Sequence, residues 1–454
     1  MVRTTTDPEV NTWPLIKQLF KEKGLARQHL DSYDTFLESG LQDILDDFNN
    51  FTVNTPDNVY KMEFGKISVD PPRAVEHDGT PIQRILPSMS RLRNFTYAAP
   101  MHLQVKTYKD DEYVNASDIY IGDMPVMLKS KLCYLSTLSK DELIEAGEDK
   151  DDPGGYFIIN GSERAIISLE DLATNSIITE IDKRGTVPKY VAKVLSVKGI
   201  LRTQVTAASK KGVISILIPW VNTAIPFIVI MRALGFESDE EIANAISNDA
   251  TLLDSISGTF EQGLEITDNK SAVTYIGNRA AFGVSQEFRD VRVQYILDKY
   301  LFPHIGVTKD YRKKKGYFLA DMIRRVAELS VGLRSPDDRD HYGNKRLRLA
   351  GPLLAQIFAR AFKKLLKDLK YQLERRYVTK MNMAIESAVR PSYVTSRLYK
   401  ALATGTWSIR TTGVTQLLDR TNFVSTQSHL RRLQSPLTRT RPQFEARELH
   451  ASHL

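Results

Sequence analysis

After Pro352 the chain reads LLAQIFARAFKKLLKDLKYQLERRY, and Leu354, Ile357, Phe358, Phe362, Leu365, Leu366, Leu369 and Leu373 recur at the three-and-four spacing of one helix face. Such a pattern predicts a long helix to about Tyr377, and a stripe this wide needs a sheet or further helices to cover it. Arg360, Lys363, Lys364, Lys367 and Lys370 take the opposite side. The stripe reads as core, which leaves the lysines free to face an anionic ligand.

The remaining texture supplies the rest of a mixed fold. Residues 15–50 carry helical spacing in LIKQLFKEKG and YDTFLESGLQDILDDF. YKMEFGKISVD and YAAPMHLQVKTYKDD alternate as strands, separated by VDPPRAVEHDGTPIQ, whose prolines and Asp78-Gly79 mark a loop. In GGYFIINGSERAIISLEDL, Asn160-Gly161 supplies two residues tolerant of positive φ between apolar strands, a hairpin signal. EIDKRGTVPKYVAKVLSV and TQVTAASKKGVISILI read as strands turning at Lys183-Arg184-Gly185 and Lys210-Lys211-Gly212. LDSISGTFEQGLEI is a glycine-interrupted helix candidate. SQEFRDVRVQYILDKYLFPHIG and YFLADMIRRVAELSVGL are periodic helices. The segment from about 178 to 335 therefore reads as an insertion between two flanking blocks.

A length of 454 residues exceeds one ordinary core. With 42% hydrophobic and 26% charged residues, the chain has the composition of a folded globular protein. The N-terminus has no apolar signal region. Val213 to Met231 carries no charge, but Pro219, Pro226 and Asn222 interrupt it, so a strand, a turn and the start of a helix fit better than a membrane span. Cys133 is the only cysteine, which excludes an internal disulfide and a cysteine zinc site and points to a reducing compartment.

Charge is asymmetric. From His341 to Leu454 there are 21 Lys+Arg against 6 Asp+Glu, leaving 41 against 49 for residues 1–340. A basic C-terminal quarter suits a polyanion, with nucleic acid first. There TGTWSIRTTGVTQLLDRTNFVSTQSHLRRLQSPLTRTRPQFEAREL sets Arg410, Arg420, Arg431, Arg432, Arg439, Arg441 and Arg447 among Thr, Ser, Asn and Gln. Guanidinium groups fork onto phosphate oxygens without reading a base.

Catalytic motifs are missing: no phosphate loop, no strand-linked GxGxxG, no HExxH and no GxSxG. Asp337, Asp338 and Asp340, and Glu237, Asp239, Glu240 and Glu241, lack the spacing of a carboxylate metal loop. Salt-bridged structural use is the better reading. His450 and His453 have no nearby third and fourth metal ligands.

DDRDHYGNKRLRLAGPLL, GGYFIINGSERAIIS, and GVTQLLDRTNFVSTQSHLRRLQSPL followed by RELHASHL, with SRLRNFTYAAP, IGDMPVMLKSKLC, PFIVIMRALG and YLFPHIG, resemble in this order the N-terminal half of the second-largest subunit of the multisubunit DNA-dependent RNA polymerases. SLEDLATN looks most like the archaeal branch. The resemblance implies an α+β, multidomain fold: a protrusion from 18–177 and 336–405, an inserted lobe at 178–335 and the start of a fork at 406–454. It makes DDRDHYGNKR a polar joint where the chain leaves the lobe, in place of a catalytic centre.

It further implies a non-catalytic chain within a nucleotidyltransferase, forming one side of the DNA cleft. Arg410 and Gln416 would meet the RNA–DNA hybrid. Arg431 and Arg432 match paired basic residues near the active centre, and Leu437 to Phe444 matches the fork loop beside downstream duplex. Gln416, Asp419 and His429 match the bacterial rifamycin pocket in type, whereas Arg420, Phe423 and Gln434 depart from it. No cofactor is expected on this chain, Mg2+ being held by the largest subunit. Expected partners are the largest subunit, the C-terminal half of the second-largest subunit, assembly subunits, DNA and the hybrid, with no membrane. The location would be cytoplasmic and nucleoid-associated if archaeal, nuclear if eukaryotic. The family continues past RELHASHL into a Cys-Pro-x-Glu-Thr-Pro-Glu-Gly block, so a natural gene split, a truncation and an incomplete gene stay open. The rival reading is a free-standing nucleic-acid-binding or structural protein of the same fold.

Overall fold

The computed structural model describes residues 12–435 except 50, 77–79, 184–187, 200, 211, 265, 281, 282, 284, 380–384, 409 and 410. These form two compact units, one from the residues up to Asp171 and those from Leu347, the other from Leu172–Arg346.

The first unit is built on a four-stranded antiparallel sheet, Phe51–Asn54, Val59–Val69, Ala98–Lys109 and Glu112–Pro125, in that spatial order. Burial alternates from Met101 to Tyr108 of Ala98–Lys109, which gives that part of the sheet one covered face. The predicted long helix spans Ala350–Val378, and all eight stripe residues are buried. Phe362 of that stripe meets Phe64 edge-on at 5.5 Å and Phe48 at 5.5 Å. At roughly 1.5–3 kcal/mol per buried large side chain, the stripe is a major part of this core. The helix can start only because residue 351 is glycine: a Cβ there would lie 2.1 Å from the Ser32 carbonyl oxygen, while the Gly351 N–H donates to Ser32 Oγ at 3.0 Å.

The predicted hairpin forms between Phe157–Ile159 and Ser162–Ile166, with Asn160 and Gly161 at φ of 47° and 75°, as a two-residue turn of the primed type requires. Inside the expected loop at 69–83 the structure adds a short ladder, Ala74–Val75 with Pro81–Ile82. The Asp78-Gly79 pair, the Arg184-Gly185 part of the expected turn and Lys211 lie outside the described residues.

The second unit packs helices on a five-stranded antiparallel meander: Ile177–Asp182, Lys189–Lys198, Leu201–Lys210, Val213–Leu217 and Ile225–Pro226. The uncharged run becomes a strand, a turn with Trp220 at φ 66°, and the buried helix Phe227–Ala233. Among the described residues no helix is long and apolar enough to cross a membrane. The glycine-interrupted candidate is a helix over Ala250–Glu261, started by Asp249, whose carboxylate accepts from the Thr251 N–H at 3.0 Å. On the Arg312–Val331 helix, fully buried Lys315 donates through Nζ to the carbonyls of Leu297 and Asp298 at 2.9 and 2.6 Å.

The charged stretch at 337–346 belongs to this unit. Asp337 Oδ2 accepts from the Thr179 N–H at 2.8 Å and hydroxyl at 2.7 Å, and Oδ1 accepts from Arg334 at 3.1 Å. Asp338 accepts from the Asp340 N–H at 2.9 Å, and Asn344 donates to the Asp338 carbonyl at 2.6 Å. The aspartates thus hold the stretch to the edge of the sheet and to itself.

Candidate nucleic-acid interface

The basic C-terminal segment is fixed by the block before it. The Ser392–Thr404 helix ends at Gly405, whose φ of 70° reverses the chain beside the Thr415 backbone, where a Cβ would meet the Thr415 carbonyl at 2.5 Å. Trp407 is then buried, its Nε1–H donating to the Leu353 carbonyl at 2.9 Å, while Arg360 donates to the Trp407 carbonyl at 3.0 Å. Both anchors lie on the long helix.

Thr415–Leu417 pairs antiparallel with the hairpin strand Ser162–Ile166, Gln416 opposite Ala165. Further on, Leu433 and Gln434 pair in parallel with Ser168 and Leu169. Between these ladders, Asp419 Oδ1 accepts from the Thr421 N–H at 2.9 Å and hydroxyl at 2.7 Å. These bonds, the backbone one first, hold its carboxyl below the usual range. The Phe423–Leu430 helix follows, started by a reciprocal Asn422–Ser425 cap.

His429 organises the concave side. The Asp419 N–H donates to its Nδ1 at 3.0 Å, so the neutral ring carries its proton on Nε2 and donates to Gln416 Oε1 at 3.1 Å. Burial, with Arg432 nearby, depresses its pKa and favours this neutral form. Buried His29 holds the helix end: its Nε2 lies 2.7 Å from the Leu430 carbonyl, which accepts from it. Arg431 and Arg432 follow, both exposed. Arg432 reaches toward Gln416 Oε1 at 3.5 Å, and the Arg431 guanidinium lies 5.7 Å from the Phe20 ring centre.

The structure therefore brings Gln416 together with His429 and Arg432, while Arg431 lies against Phe20. Arg420, expected as a nucleic-acid contact, is ion-paired to carboxylates of its own chain. Its Nε donates to Glu163 Oε2 at 2.7 Å and its Nη2 to Asp152 Oδ2 at 2.8 Å and to the Tyr156 hydroxyl at 2.7 Å. Arg91 completes the cluster, donating to Glu163 at 2.8 Å, to Glu148 at 2.8 Å and to Tyr156 at 2.9 Å. Burial raises the carboxyl pKa values of Asp152 and Glu163, but the Gly154 N–H and Arg420 at the former, and Arg420 and Arg91 at the latter, bring both below the usual range. Glu148, with burial dominant, stays above it. Sequence reading missed Arg91, Asp152, Glu163 and His29. A carboxylate just past the Asn160-Gly161 turn was the one local hint. Arg410, Arg439, Arg441, Arg447, the Leu437 to Phe444 loop, His450 and His453 lie outside the described residues.

Neither acidic cluster fits a metal. Asp337 has spent its oxygens on Thr179 and Arg334, Asp239 is paired with Arg232, and Glu241 caps the Glu237 N–H. Among the described residues no group of three His, Cys, Asp or Glu side chains could hold an ion.

Residues 24–396 match the profile of a family described as RNA polymerase beta subunit, and residues 416–454 match RNA polymerase Rpb2, domain 3. The DNA-directed RNA polymerase subunit Rpo2 of Saccharolobus shibatae is 45% identical over 441 residues, covering 97% of this chain and 39% of that protein. Subunit Rpo2N of Methanocaldococcus jannaschii is 41% identical over 446 residues, 97% of this chain and 89% of that protein. Rpo2N of Methanococcus vannielii is 39% identical over 446 residues, 96% and 89% respectively. The chain thus spans 39% of the length of the Rpo2 relative and most of the Rpo2N relatives.

Proposed function

The chain belongs to the RNA polymerase beta subunit family, and from that membership we propose that it serves as the N-terminal portion of the second-largest subunit of a DNA-directed RNA polymerase, forming one side of the nucleic-acid cleft. In this reading 18–177 with 336–405 is the protrusion, 178–335 the lobe and 406–454 the start of the fork. Its partners are the largest subunit, the C-terminal half of the second-largest subunit, assembly subunits, DNA and the RNA–DNA hybrid. The largest subunit supplies the magnesium chemistry of nucleotidyl transfer.

What this chain's residues do is bind and orient. Arg431 and Arg432 offer forked donors to phosphate oxygens. Neutral His429 donates to the Gln416 carbonyl oxygen, so the Gln416 amide is presented in one orientation. Arg410, Arg439, Arg441 and Arg447 stay in the proposal as further backbone contacts. Arg420 enters it as a positioning residue, because its Nε and Nη2 donate to Glu163, Asp152 and Tyr156.

The observation that carries the reading is the pair of exposed arginines held beyond a helix whose two flanks are tied into neighbouring strands. Co-purification tests it. A tagged chain should bring down its complementary C-terminal chain and the largest subunit at stoichiometric ratio. Recovery of the chain alone, with nucleic acid still bound, would establish the free-standing rival instead.

A further inference from the structure

The first unit also contains an open cavity of about 600 Å³, within the roughly 300–1,000 Å³ of small-ligand sites. The four-stranded sheet lines it with His102, Tyr120 and Asp123, the Ser392–Thr404 helix with Tyr399, and the short ladder with Val75 and Ile82. No residue of the segment carrying Arg431 and Arg432 reaches it.

The inner end is set where helix meets strand. A Cβ on Gly122 would lie 2.8 Å from Thr395 Oγ1, so glycine lets the helix close in, and the Asp123 N–H donates to that oxygen at 2.9 Å. Asp123 Oδ1 accepts from the Tyr120 hydroxyl at 2.7 Å, and Oδ2 takes no hydrogen bond among the described residues. The Tyr399 hydroxyl has no hydrogen-bond partner among them either. Burial, and after it the Asp123 charge, raises the Tyr399 pKa, which keeps this hydroxyl a donor near neutral pH. The His102 ring stands 5.8 Å from that of Tyr120. At the mouth, Arg73 is exposed, and its guanidinium forms no hydrogen bond or ion pair among the described residues.

A metal ion would find a single free carboxylate oxygen here, too few ligands to hold it. An acyl chain would bury that oxygen and the Tyr399 hydroxyl without partners, which costs free energy. An ammonium group between the tyrosines would be opposed by Arg73. A planar heterocycle satisfies all three groups: an N–H at its edge for Asp123, a ring nitrogen beside it for the Tyr399 O–H, and an attached anion for Arg73. Adenine has that edge. Guanine presents two adjacent N–H donors, which would need both Asp123 oxygens, and Tyr120 already holds one. We propose that the cavity binds an adenine nucleotide, with Asp123 and Tyr399 reading the base edge, Tyr120 and His102 beside the ring, and Arg73 on the phosphate. A monophosphate completes these contacts, and with no pyrophosphate to release it is a ligand here and not a nucleotidyl donor. The inference stands apart from the role given to Arg431 and Arg432.

Isothermal titration calorimetry on the full chain tests it, in a background of Arg431→Ala and Arg432→Ala that removes phosphate capture by those two side chains. AMP should bind at one site, with UMP and adenosine each about tenfold weaker. Arg73→Gln should weaken AMP about tenfold and leave adenosine unchanged. Tyr399→Phe should cost AMP about two- to tenfold in affinity. Asp123→Asn keeps the bond from Tyr120 and turns an amide N–H toward the base, so preference should pass from AMP to IMP, whose 6-oxo group accepts it. A merely structural role would weaken both alike. Arg73 is exposed, so Arg73→Gln stays informative even where Asp123→Asn does not fold. No binding of AMP at millimolar concentration overturns the site. So do equal affinities for AMP, UMP and inorganic phosphate, an unchanged AMP affinity in Arg73→Gln, or an Asp123→Asn variant that still prefers AMP.

Discussion

Arg91 and Arg420 hold one carboxylate of the hairpin strand between them: Glu163 accepts from Arg91 at 2.8 Å and from Arg420 at 2.7 Å. The shared acid joins the Pro87–Leu92 helix to the turn that opens the basic segment. Arg420 thereby ties the start of the segment that carries Arg431 and Arg432 to the hairpin strand.

Arg420→Ala should destabilise the first unit by roughly 2–3 kcal/mol. That is less than the ~3–5 kcal/mol for breaking a fully buried pair, because solvent screens the arginine. Urea denaturation would measure it. Arg420→Lys should recover little, since one ammonium cannot reproduce the fork across Glu163 and Asp152. If Arg420→Ala were as stable as the parent and lost only nucleic-acid affinity, the positioning role would be wrong.

Arg431→Ala with Arg432→Ala should leave the fold intact, both side chains being exposed. Hybrid retention in the assembled enzyme should weaken by ~1–3 kcal/mol per lost contact. The salt slope should become shallower by about 1 to 2, and an unaltered slope would take both residues off the phosphate path.

Lys315 gives the second unit a pH dependence of unusual sign. Burial lowers its pKa to about 8, from an ordinary value near 10.5. Between these values the unfolded chain holds a proton that the folded chain has released, so stability rises with pH across that window. Below about 8 the penalty for burying the charge is present in full. Comparing urea midpoints of the parent and Lys315→Met at pH 7.5 and 10 isolates the effect. The parent should gain on the variant as pH rises, and parallel curves would contradict the assignment.

Gly351→Ala sets two effects against each other. Alanine is favoured over glycine within a helix by about 1 kcal/mol, but the new Cβ would lie 2.1 Å from the Ser32 carbonyl oxygen. Backbone there cannot yield cheaply, so net destabilisation of ~1–3 kcal/mol is expected, read as a lowered Tm. A raised Tm would mean that the Arg27–Thr35 helix, which carries Ser32, separates freely from the Ala350–Val378 helix.

Legibility from sequence followed the range of the interactions. The long helix and the Asn160-Gly161 hairpin were readable because each is written in a periodic or two-residue local code. Arg420 was readable as a cation but not as a paired one, since Asp152 and Glu163 lie more than 250 residues away. The bond from His29 to the Leu430 carbonyl crosses 401 positions, and no pattern near either residue announces it. Gln416, Arg431 and Arg432 could be named from the family resemblance, whereas the neutral state of His429 needed Asp419 and Gln416 placed on either side of its ring.

The segment bearing Arg431 and Arg432 is stitched at both ends to consecutive strands, antiparallel at Thr415–Leu417 and parallel at Leu433–Gln434. A strand dragged past those arginines would load both seams together, one in each of two small sheets, in shear along the strands instead of peeling one hydrogen bond after another. Mechanical yield is then set by the shorter seam, which has only two residue pairs. Slippage under tension should begin at Leu433, on the side away from the buried indole.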